Sequence, residues 1–246
     1  MSNSKLVNYT KISPNSTNPR KDKIRKITIH HMAGNLTVET CGNVFAPASR
    51  QASSNYGIGT DGRVGMYVEE KNRAWTSSSA ANDNQAVTIE VANDEIGGNW
   101  HVSDVALAKL IDLCVDICQR NGIEKLNFTG DKNGNLTMHK YFAATSCPGP
   151  YLESKFPYIA AEVNKRLGKS ETAPASKPTQ QPSTGSNYLV RVTASVLNIR
   201  KGPGTNYAVT GQIKDKGVYT IVEESNGWGK LKSGAGWISL SYTKKA

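Results

Sequence analysis

The sequence predicts an α/β domain followed by a small all-β barrel, and three observations lead to this interpretation. β-branched runs at 25–31 and 86–91 are typical of buried strands. Residues 103–121 carry apolar side chains at helical spacing. From residue 188 onward, short alternating strands are separated by Gly- and Pro-rich turns. We therefore expect a mixed central sheet flanked by helices, and then a barrel.

The first half of the α/β part follows from local signals. Residues 1–24 are polar and predict an arm with at most a short strand or turn, before a first core strand at 25–31. Thr37 is a plausible N-cap for a short helix that ends near Val44. Asp61-Gly62 lies between alternating runs within 53–68 and predicts a β-hairpin.

The second half is read in the same way. Residues 76–85 predict a loop that leads to a central strand at 86–91. Ser103 or Asp104 caps the helix over 103–121, and Asn121-Gly122 ends it. Residues 130–136 predict a loop. A last helix is expected from Pro157 to Leu167, with Pro157 in its first turn.

The end of the chain predicts a linker and a second domain. Residues 169–187 lack large apolar side chains and contain three prolines, which indicates a flexible linker. It separates a domain at 1–168 from a β-barrel at 188–246. Strands of the barrel are expected at Tyr188–Val192, Tyr219–Glu223, Gly227–Leu231 and Gly236–Ser239. Its large aromatic residues either line a peptide groove or fill the core, and they are Tyr207, Trp228, Trp237 and Tyr242.

Composition excludes some classes of protein. No apolar run approaches the length of a membrane-spanning helix, and no secretory signal pattern follows Met1. The net charge is +10, and residues 188–246 hold 9 basic and 3 acidic side chains, or +6. Such a basic surface favours binding to a polyanion. The alternative is that the charge only keeps the domain in solution. The pair Cys114 and Cys118 is expected to pack inside a helix rather than to bind a metal ion.

Three side chains of metal-ligand type stand out. His139 and Cys147 lie eight positions apart in the segment Met138–Pro150, and the strand at 25–31 ends in His30-His31. Two His and one Cys form a set of three protein ligands, which is typical of catalytic zinc because it leaves a coordination position open. Taken singly, each residue is better explained as a structural His or a small buried Cys, and only together do they favour a metal site.

A strand ending in His-His, a distant His and then Thr145-Ser146-Cys147-Pro148-Gly149 resembles the zinc-dependent N-acetylmuramoyl-L-alanine amidases. This family includes phage amidases and peptidoglycan recognition proteins. Asp61-Gly62, Ala74-Trp75 and Ile89-Glu90-Val91 occur in the family's order, and the resemblance extends from about 6 to 167. In the barrel, the segments 197–204 and 236–238 resemble bacterial SH3-like wall-binding domains.

The amidase resemblance implies a function for each of the marked residues. Zn²⁺ would be held by His30, His139 and Cys147, with His31 as the alternative to His30. Glu90 would act as general base, unless it is only the partner in a buried ion pair. Many relatives carry Lys where this chain has Thr145, whose hydroxyl offers a neutral hydrogen bond to a developing oxyanion.

Substrate contacts are expected from Trp75 and from the strand that carries Ser54 and Tyr56. Trp75 would stack on a sugar, or else it belongs to the core. Phage-type members have a Tyr at the position of Ser54, and its role is not transferred to Tyr56.

The resemblance implies a peptidoglycan hydrolase that cleaves the bond between N-acetylmuramic acid and L-alanine, with a tail that binds a cell-wall polymer or peptide. The arrangement resembles a phage endolysin, made in the cytoplasm and released to a Gram-positive wall through a holin pore. Three alternatives are a bacterial autolysin, a non-catalytic wall-binding or sensing protein, and a basic nucleic-acid-binding protein. The last has no recognition motif to support it.

Overall fold

The computed structural model of the protein describes residues 2–168, 187–204, 207–225 and 227–246. The chain divides into two compact units, with the boundary in the sequence between residues 172 and 173. Each unit has its own apolar core. The linker predicted at 169–187 lies outside the described residues except for its last residue. The bounds 1–168, 169–187 and 188–246 therefore stay a prediction. Within the described part, no helix is long and apolar enough to cross a membrane.

The first unit is built around a mixed sheet. Its elements in chain order are β1 (Tyr9–Thr10), β2 (Ser16–Thr17), β3 (Lys26–His31), α1 (Val38–Phe45), β4 (Tyr56–Ile58), β5 (Val64–Met66), β6 (Arg73–Ala74), α2 (Ala80–Gln85), β7 (Ala86–Val91), α3 (Asp104–Asn121), β8 (Leu136–Met138) and α4 (Pro150–Arg166). The main sheet has the order β1-β5-β4-β7-β3-β8. β3 pairs in parallel with β7 and β8, whereas β4 and β5 form the predicted antiparallel hairpin.

The main sheet has one apolar face and one polar face. Side chains alternate along a strand, so β3 directs Ile27 and Ile29 into the core with α3 and α4, and Thr28 and His30 to the opposite face. β7 follows the same alternation and adds Glu90 to the polar face. The polar face therefore collects the side chains of chemical interest.

Two helices form where the sequence predicts them. The Thr37 hydroxyl accepts a hydrogen bond from the Thr40 N–H at the start of α1. Ser103 caps α3 in the same way through the Ala106 N–H. Gly122 ends α3 at a φ of 66°, a left-handed conformation that suits glycine. The caps were thus readable from local sequence.

Three predictions for this unit were wrong. Residues 76–85 are not all loop, because Ser79 caps the short helix α2. The predicted loop at 130–136 ends one residue early, because Leu136 already belongs to strand β8, which pairs with β3. α4 begins at Pro150, not at Pro157, which lies on its exposed side. The helix continues past Pro157 because apolar residues before and after it, such as Phe156 and Ile159, pack into the core.

A buried arginine ties the N-terminal arm to the sheet. Arg20 is 6% exposed. Its guanidinium donates to five backbone carbonyls at 2.6–3.2 Å, namely those of Glu70, Asn72, Asp83, Asn84 and Ala86. Burial lowers the pKa of Arg20 to about 10. The carbonyls belong to the turn before β6 and to the junction of α2 and β7, so Arg20 joins segments that no strand pairing connects.

The second unit is all-β. Its strands are β9 (Tyr188–Val192), β10 (Leu197–Arg200), β11 (Val209–Ile213), β12 (Val218–Ser225), β13 (Trp228–Leu231), β14 (Trp237–Ser239) and β15 (Thr243–Lys245). They form one sheet in the order β11-β10-β14-β13-β12-β9-β15. Trp237 is 8% exposed, whereas Tyr207 and Tyr242 are 42% and 50% exposed. Trp237 therefore belongs to the interior of the unit, whereas Tyr207 and Tyr242 lie at its surface. The peptide groove itself stays a prediction.

We expect Arg20→Ala to lower the free energy of unfolding by about 3 kcal/mol or more, because the buried carbonyls would lose their hydrogen-bond donors. Urea unfolding followed by circular dichroism would measure the loss. Arg25→Ala is the matched control, since Arg25 is exposed and its ion pair is with Asp22 at the surface. The control should stay within about 0.5 kcal/mol of the wild type. Equal losses of stability in the two variants would contradict a stabilising role for the hydrogen bonds of Arg20.

Candidate active site

Two histidines and a cysteine come together on the polar face of the sheet. The ligand atoms of His30, His139 and Cys147 lie within 4.8 Å of one another. The Cys147 Sγ is 3.6 Å from the His30 Nδ1, and the two histidine rings have centroids 4.7 Å apart. Sulfur and nitrogen ligands of a tetrahedral zinc ion are about 3.6 Å apart, from the usual bond lengths. The spacing of the cysteine and His30 thus fits a metal ion.

The sheet itself sets this arrangement. His30 is the second-last residue of β3 and is 1% exposed. Ile29 pairs with Met138 in β8, so His139 leaves that strand level with His30. The chain then loops back, and the Lys140 N–H donates to the Cys147 carbonyl at 3.1 Å. This bond closes the loop and returns the cysteine to the histidines.

Glu90 lies beside the cluster. It is the register partner of His30 in the parallel pair β3–β7, and neighbours in register share a face of the sheet. Its Oε2 is buried and has no hydrogen-bond partner among the described residues. A carboxylate inside an apolar strand is costly unless it is paired or functional. No ion pair of Glu90 is present in the described part of the chain, which disfavours the structural interpretation.

The surroundings shift the proton equilibria of the cluster. Burial lowers the pKa of His30 well below its ordinary value, and the neighbouring His139 adds to this effect. Burial also lowers the pKa of His139, so both imidazoles are neutral and free to act as ligands. Burial raises the pKa of the Cys147 thiol, which keeps it protonated until a cation is bound.

Burial raises the pKa of Glu90 to about 8, and the positive charge of Arg50 acts in the opposite direction. A carboxyl group with a pKa near the working pH can both accept and return a proton. Glu90 therefore has the properties expected of a proton-transferring group, and it lies beside the cluster.

The donor set fits a divalent metal ion by its chemistry. The Nε2 atoms of His30 and His139 and the Glu90 Oε2 are buried without partners among the described residues, while the His30 nitrogen that faces the Cys147 sulfur is Nδ1. Native cores rarely leave polar atoms unpaired, and such atoms mark places where something else binds. Two imidazoles and a thiol are the ligand types that zinc prefers, and three protein ligands leave room for a reactant.

The structure separates the two adjacent histidines. His31 follows His30 but points to the other face, where its ring meets Trp100 edge-on at 5.1 Å. The cluster therefore contains His30, as predicted, and not the alternative His31.

Thr145 is exposed, and its hydroxyl oxygen accepts the Cys147 N–H at 3.2 Å. The O–H of Thr145 remains available as a donor two residues from the cysteine. Trp75 is half-buried, and its ring N–H donates to the Thr17 hydroxyl at 2.9 Å. The predicted roles of Thr145 and Trp75 stay predictions.

Two predicted substrate contacts are wrong. Ser54 and Tyr56 are both completely buried. The Ser54 hydroxyl donates to the carbonyls of Tyr56 and Thr88 inside the unit. The Tyr56 hydroxyl donates to Glu70 at 2.7 Å. Tyr56 points into the apolar core rather than to the face with the cluster, because strand alternation gives Gly57 the position beside Glu90.

A buried acid near the cluster, Asp83, was not predicted from the sequence. Asp83 is 2% exposed and accepts hydrogen bonds from the Thr76 N–H, the Ser77 N–H and the Ser77 hydroxyl. Its negative charge raises the pKa of His139 against the effect of burial. The only signal was Ser79 followed by a polar segment, which we had interpreted as a loop.

The family model of N-acetylmuramoyl-L-alanine amidases matches residues 20–150, more than half of the chain. The chain belongs to this family. The matched range includes His30, Glu90, His139 and Cys147. The resemblance noted in the sequence is thereby confirmed. A model of bacterial SH3 domains matches residues 195–244, which supports the second resemblance.

One curated relative is similar to this chain over a shorter stretch than the family model. The chain is 36% identical over 62 residues to the putative N-acetylmuramoyl-L-alanine amidase YrvJ of Bacillus subtilis, which is 24% of this chain and 12% of that protein. This amidase-family chain therefore spans only a small part of that relative.

Solved structures show the fold. The structure of PlyL has a TM-score of 0.51 at 14% identity and covers 63% of this chain and 95% of its own. The PlyG catalytic domain has a TM-score of 0.51 at 16% identity, over 68% of this chain and 98% of that domain. These likenesses confirm the predicted α/β fold of the first unit. The all-β second unit agrees with the match to the model of bacterial SH3 domains.

We expect Cys147→Ser to lose most of its affinity for a divalent metal ion, because an alcohol is a far weaker ligand than a thiolate. Zinc content per chain after dialysis would measure it, with one ion in the wild type. Cys114→Ala is the control, since Cys114 is buried in α3 away from the cluster. Zinc retained by the serine variant would exclude Cys147 as a ligand.

Proposed function

We propose that this chain is a zinc-dependent hydrolase that cleaves the amide bond between N-acetylmuramic acid and the L-alanine of the peptidoglycan stem peptide. The observation that carries the proposal is the cluster of His30, His139 and Cys147 beside the unpaired Glu90, within a domain of the amidase family. A non-catalytic sensing protein has no need of a buried acid at a metal site, so the enzyme is favoured.

The chain's own residues supply the proton chemistry. His30, His139 and Cys147 would hold the zinc ion, which acts as a Lewis acid toward the scissile carbonyl and makes water more acidic. Glu90 takes a proton from the attacking water and passes it to the departing amine of L-alanine. The buried surroundings that raise its pKa make Glu90 a stronger base than a surface carboxylate.

Two further residues complete the proposed site. The Thr145 hydroxyl donates a hydrogen bond to the carbonyl oxygen as negative charge develops on it. Trp75 offers the exposed part of its ring to a sugar, while its N–H stays bound to Thr17. Both assignments extend the family resemblance to positions of this chain.

The second unit is proposed to bind the wall. Among its acids, Glu223 pairs with Lys230 at 3.0 Å, and Asp215 and Glu224 accept hydrogen bonds from tyrosine hydroxyls. The exposed Arg191 and Lys244 are register partners on β9 and β15. Like charges directly across a sheet repel each other, so an anion bound there would relieve the repulsion.

We call the side chains of Arg191, Lys216 and Lys244 the basic strip. The Arg191 guanidinium donates to the Lys216 backbone carbonyl at 3.5 Å, so the Lys216 backbone lies beside Arg191. The strip supports binding to an anionic wall polymer, and a tethered enzyme has a higher local concentration of substrate. The proposal as a whole is an endolysin-type enzyme, made in the cytoplasm and released to a Gram-positive wall. A bacterial autolysin of the same chemistry is the second candidate.

We expect Glu90→Gln to lower kcat by about 10²–10⁴-fold, because an amide of the same shape transfers no proton. The assay digests purified Gram-positive peptidoglycan and counts new L-alanine amino termini and new reducing sugars. Wild type should release amino termini alone. Zinc content should match the wild type, and Glu39→Gln, on the surface, is the control. New reducing ends from the wild type would identify a glycosidase instead.

We expect the triple variant Arg191→Gln, Lys216→Gln, Lys244→Gln to bind whole cell walls roughly 10- to 100-fold more weakly at low salt, if each cation contributes up to about 1 kcal/mol. Its binding should also depend less on salt concentration. Sedimentation with walls measures both. The control exchanges Lys201, Lys214 and Lys232 for Gln, with the same loss of charge. Equal losses would mean that net charge, not the strip, drives binding.

A further inference from the structure

His31 is buried although it is not part of the cluster. It is 9% exposed, and its Nδ1 has no hydrogen-bond partner among the described residues. The edge-on contact with Trp100 has an angle of 82° between the rings. Its backbone N–H acts on the Cys147 thiol and lowers its pKa against the effect of burial. His31 thus contacts the segment that carries Cys147 from the face of the sheet opposite His30.

The chain crosses the end of β3 directly after the cysteine. Cys147 lies beside His30 on one face, and Gly149 lies against His31 on the other. A Cβ placed on Gly149 would be 3.0 Å from the Trp100 Cβ and 3.2 Å from the His31 Nδ1. Gly149 also has a φ of 84°, which disfavours any other residue. The crossing therefore depends on close contact among Gly149, His31 and Trp100.

Trp100 is held in a strained conformation. Its φ is 52°, which is uncommon for a bulky residue. The buried Asn93 amide donates to the Trp100 carbonyl at 2.8 Å, and the Trp100 N–H donates to Gly97. The Asn99 carbonyl accepts the Tyr151 N–H at 3.1 Å, which joins this loop to the start of α4. Strain of this kind persists where the surrounding contacts determine a functional geometry.

We propose that His31 and Trp100 are positioning residues, which press on Gly149 and so hold the Cys147 sulfur at the distance from His30 that a metal ion requires. The inference rests on the proposed metal site, but it concerns residues that bind neither metal nor substrate. His31 acts here by the shape of its ring, because the Nδ1–Cε1 edge of that ring lies against Gly149. The imidazole also interacts with the Asn93 side chain, and His31→Phe would lose that interaction while keeping the contact with Gly149. The loop at 94–100 thereby becomes part of the metal site without contributing a ligand.

The test compares ring shape with ring chemistry. We expect His31→Ala to bind zinc about 10–100-fold more weakly, as is usual when the support of a ligand is removed. His31→Phe should stay within about threefold of the wild type, because it keeps a planar ring. Competition with a chromophoric chelator gives the affinities. The thiolate absorption band of the Co²⁺-substituted proteins reports directly on the bond to Cys147, and it should weaken only in His31→Ala.

Two more variants keep the test decisive. Trp100→Gly removes the second contact with Gly149 and adopts the positive φ without strain, so it should fold and still bind zinc more weakly. His101→Ala is the control, because His101 is a partly exposed histidine of the same loop that pairs with Asp94 at 2.6 Å. Thermal unfolding of the metal-free proteins checks that each is folded.

Three results would overturn the proposal. Wild-type affinity in His31→Ala, or in Trp100→Gly, would show that no support is needed. A His31→Phe variant as weak as His31→Ala would make the imidazole itself the requirement, as for a ligand. Since the readout is metal binding, these results can occur while the wild type still cleaves peptidoglycan, so they are distinct from failure of the proposed activity.

Discussion

The parallel pairing of β3 with β7 is the interaction on which the first unit depends. It is in register over six residues, from Lys26 with Ala86 to His31 with Val91. This register places His30 beside Glu90, and β8 on the other side adds His139 at the same level. A slip of β3 by one residue against β7 would put His30 and Glu90 on opposite faces of the sheet. The alternating apolar residues that bury against α3 and α4 therefore also determine the candidate chemistry.

A polar face inside a folded unit is costly, and hydrogen bonds between side chains offset that cost. Thr28 and Thr137 bond to each other at 2.9 Å, and the Asn82 amide donates to Thr28 at the same distance. Thr76 and Thr88 form a similar pair at 2.8 Å. The four threonine hydroxyls thus have partners, whereas one ring nitrogen of His30, one of His139 and the Glu90 Oε2 have none among the described residues. This contrast distinguishes a binding site from an imperfectly packed core.

Much of the fold could be predicted because its signals are local. The caps at Thr37 and Ser103, the Asp-Gly hairpin and the strands at 26–31 and 86–91 each depend on a few neighbouring residues. β8 could not be predicted in the same way, since three residues become a strand only through pairing with β3. The start of α4 was misplaced because the core overrides the usual effect of Pro157 within a helix. His30, Glu90, His139 and Cys147 could be selected from residue type and family resemblance, but Tyr56 required knowledge of which face it occupies.

The order of the strands has a consequence for synthesis of the chain. β3 is the second-last strand across the sheet and among the first elements to be made, whereas β8, its outer neighbour, comes more than a hundred residues later. A growing chain that ends before residue 136 contains His30 and Glu90 but neither of the other two cluster residues. The cluster is therefore completed only as the first unit nears its end. Until residue 147 has been added, the chain lacks at least one of the three residues that could hold a metal ion.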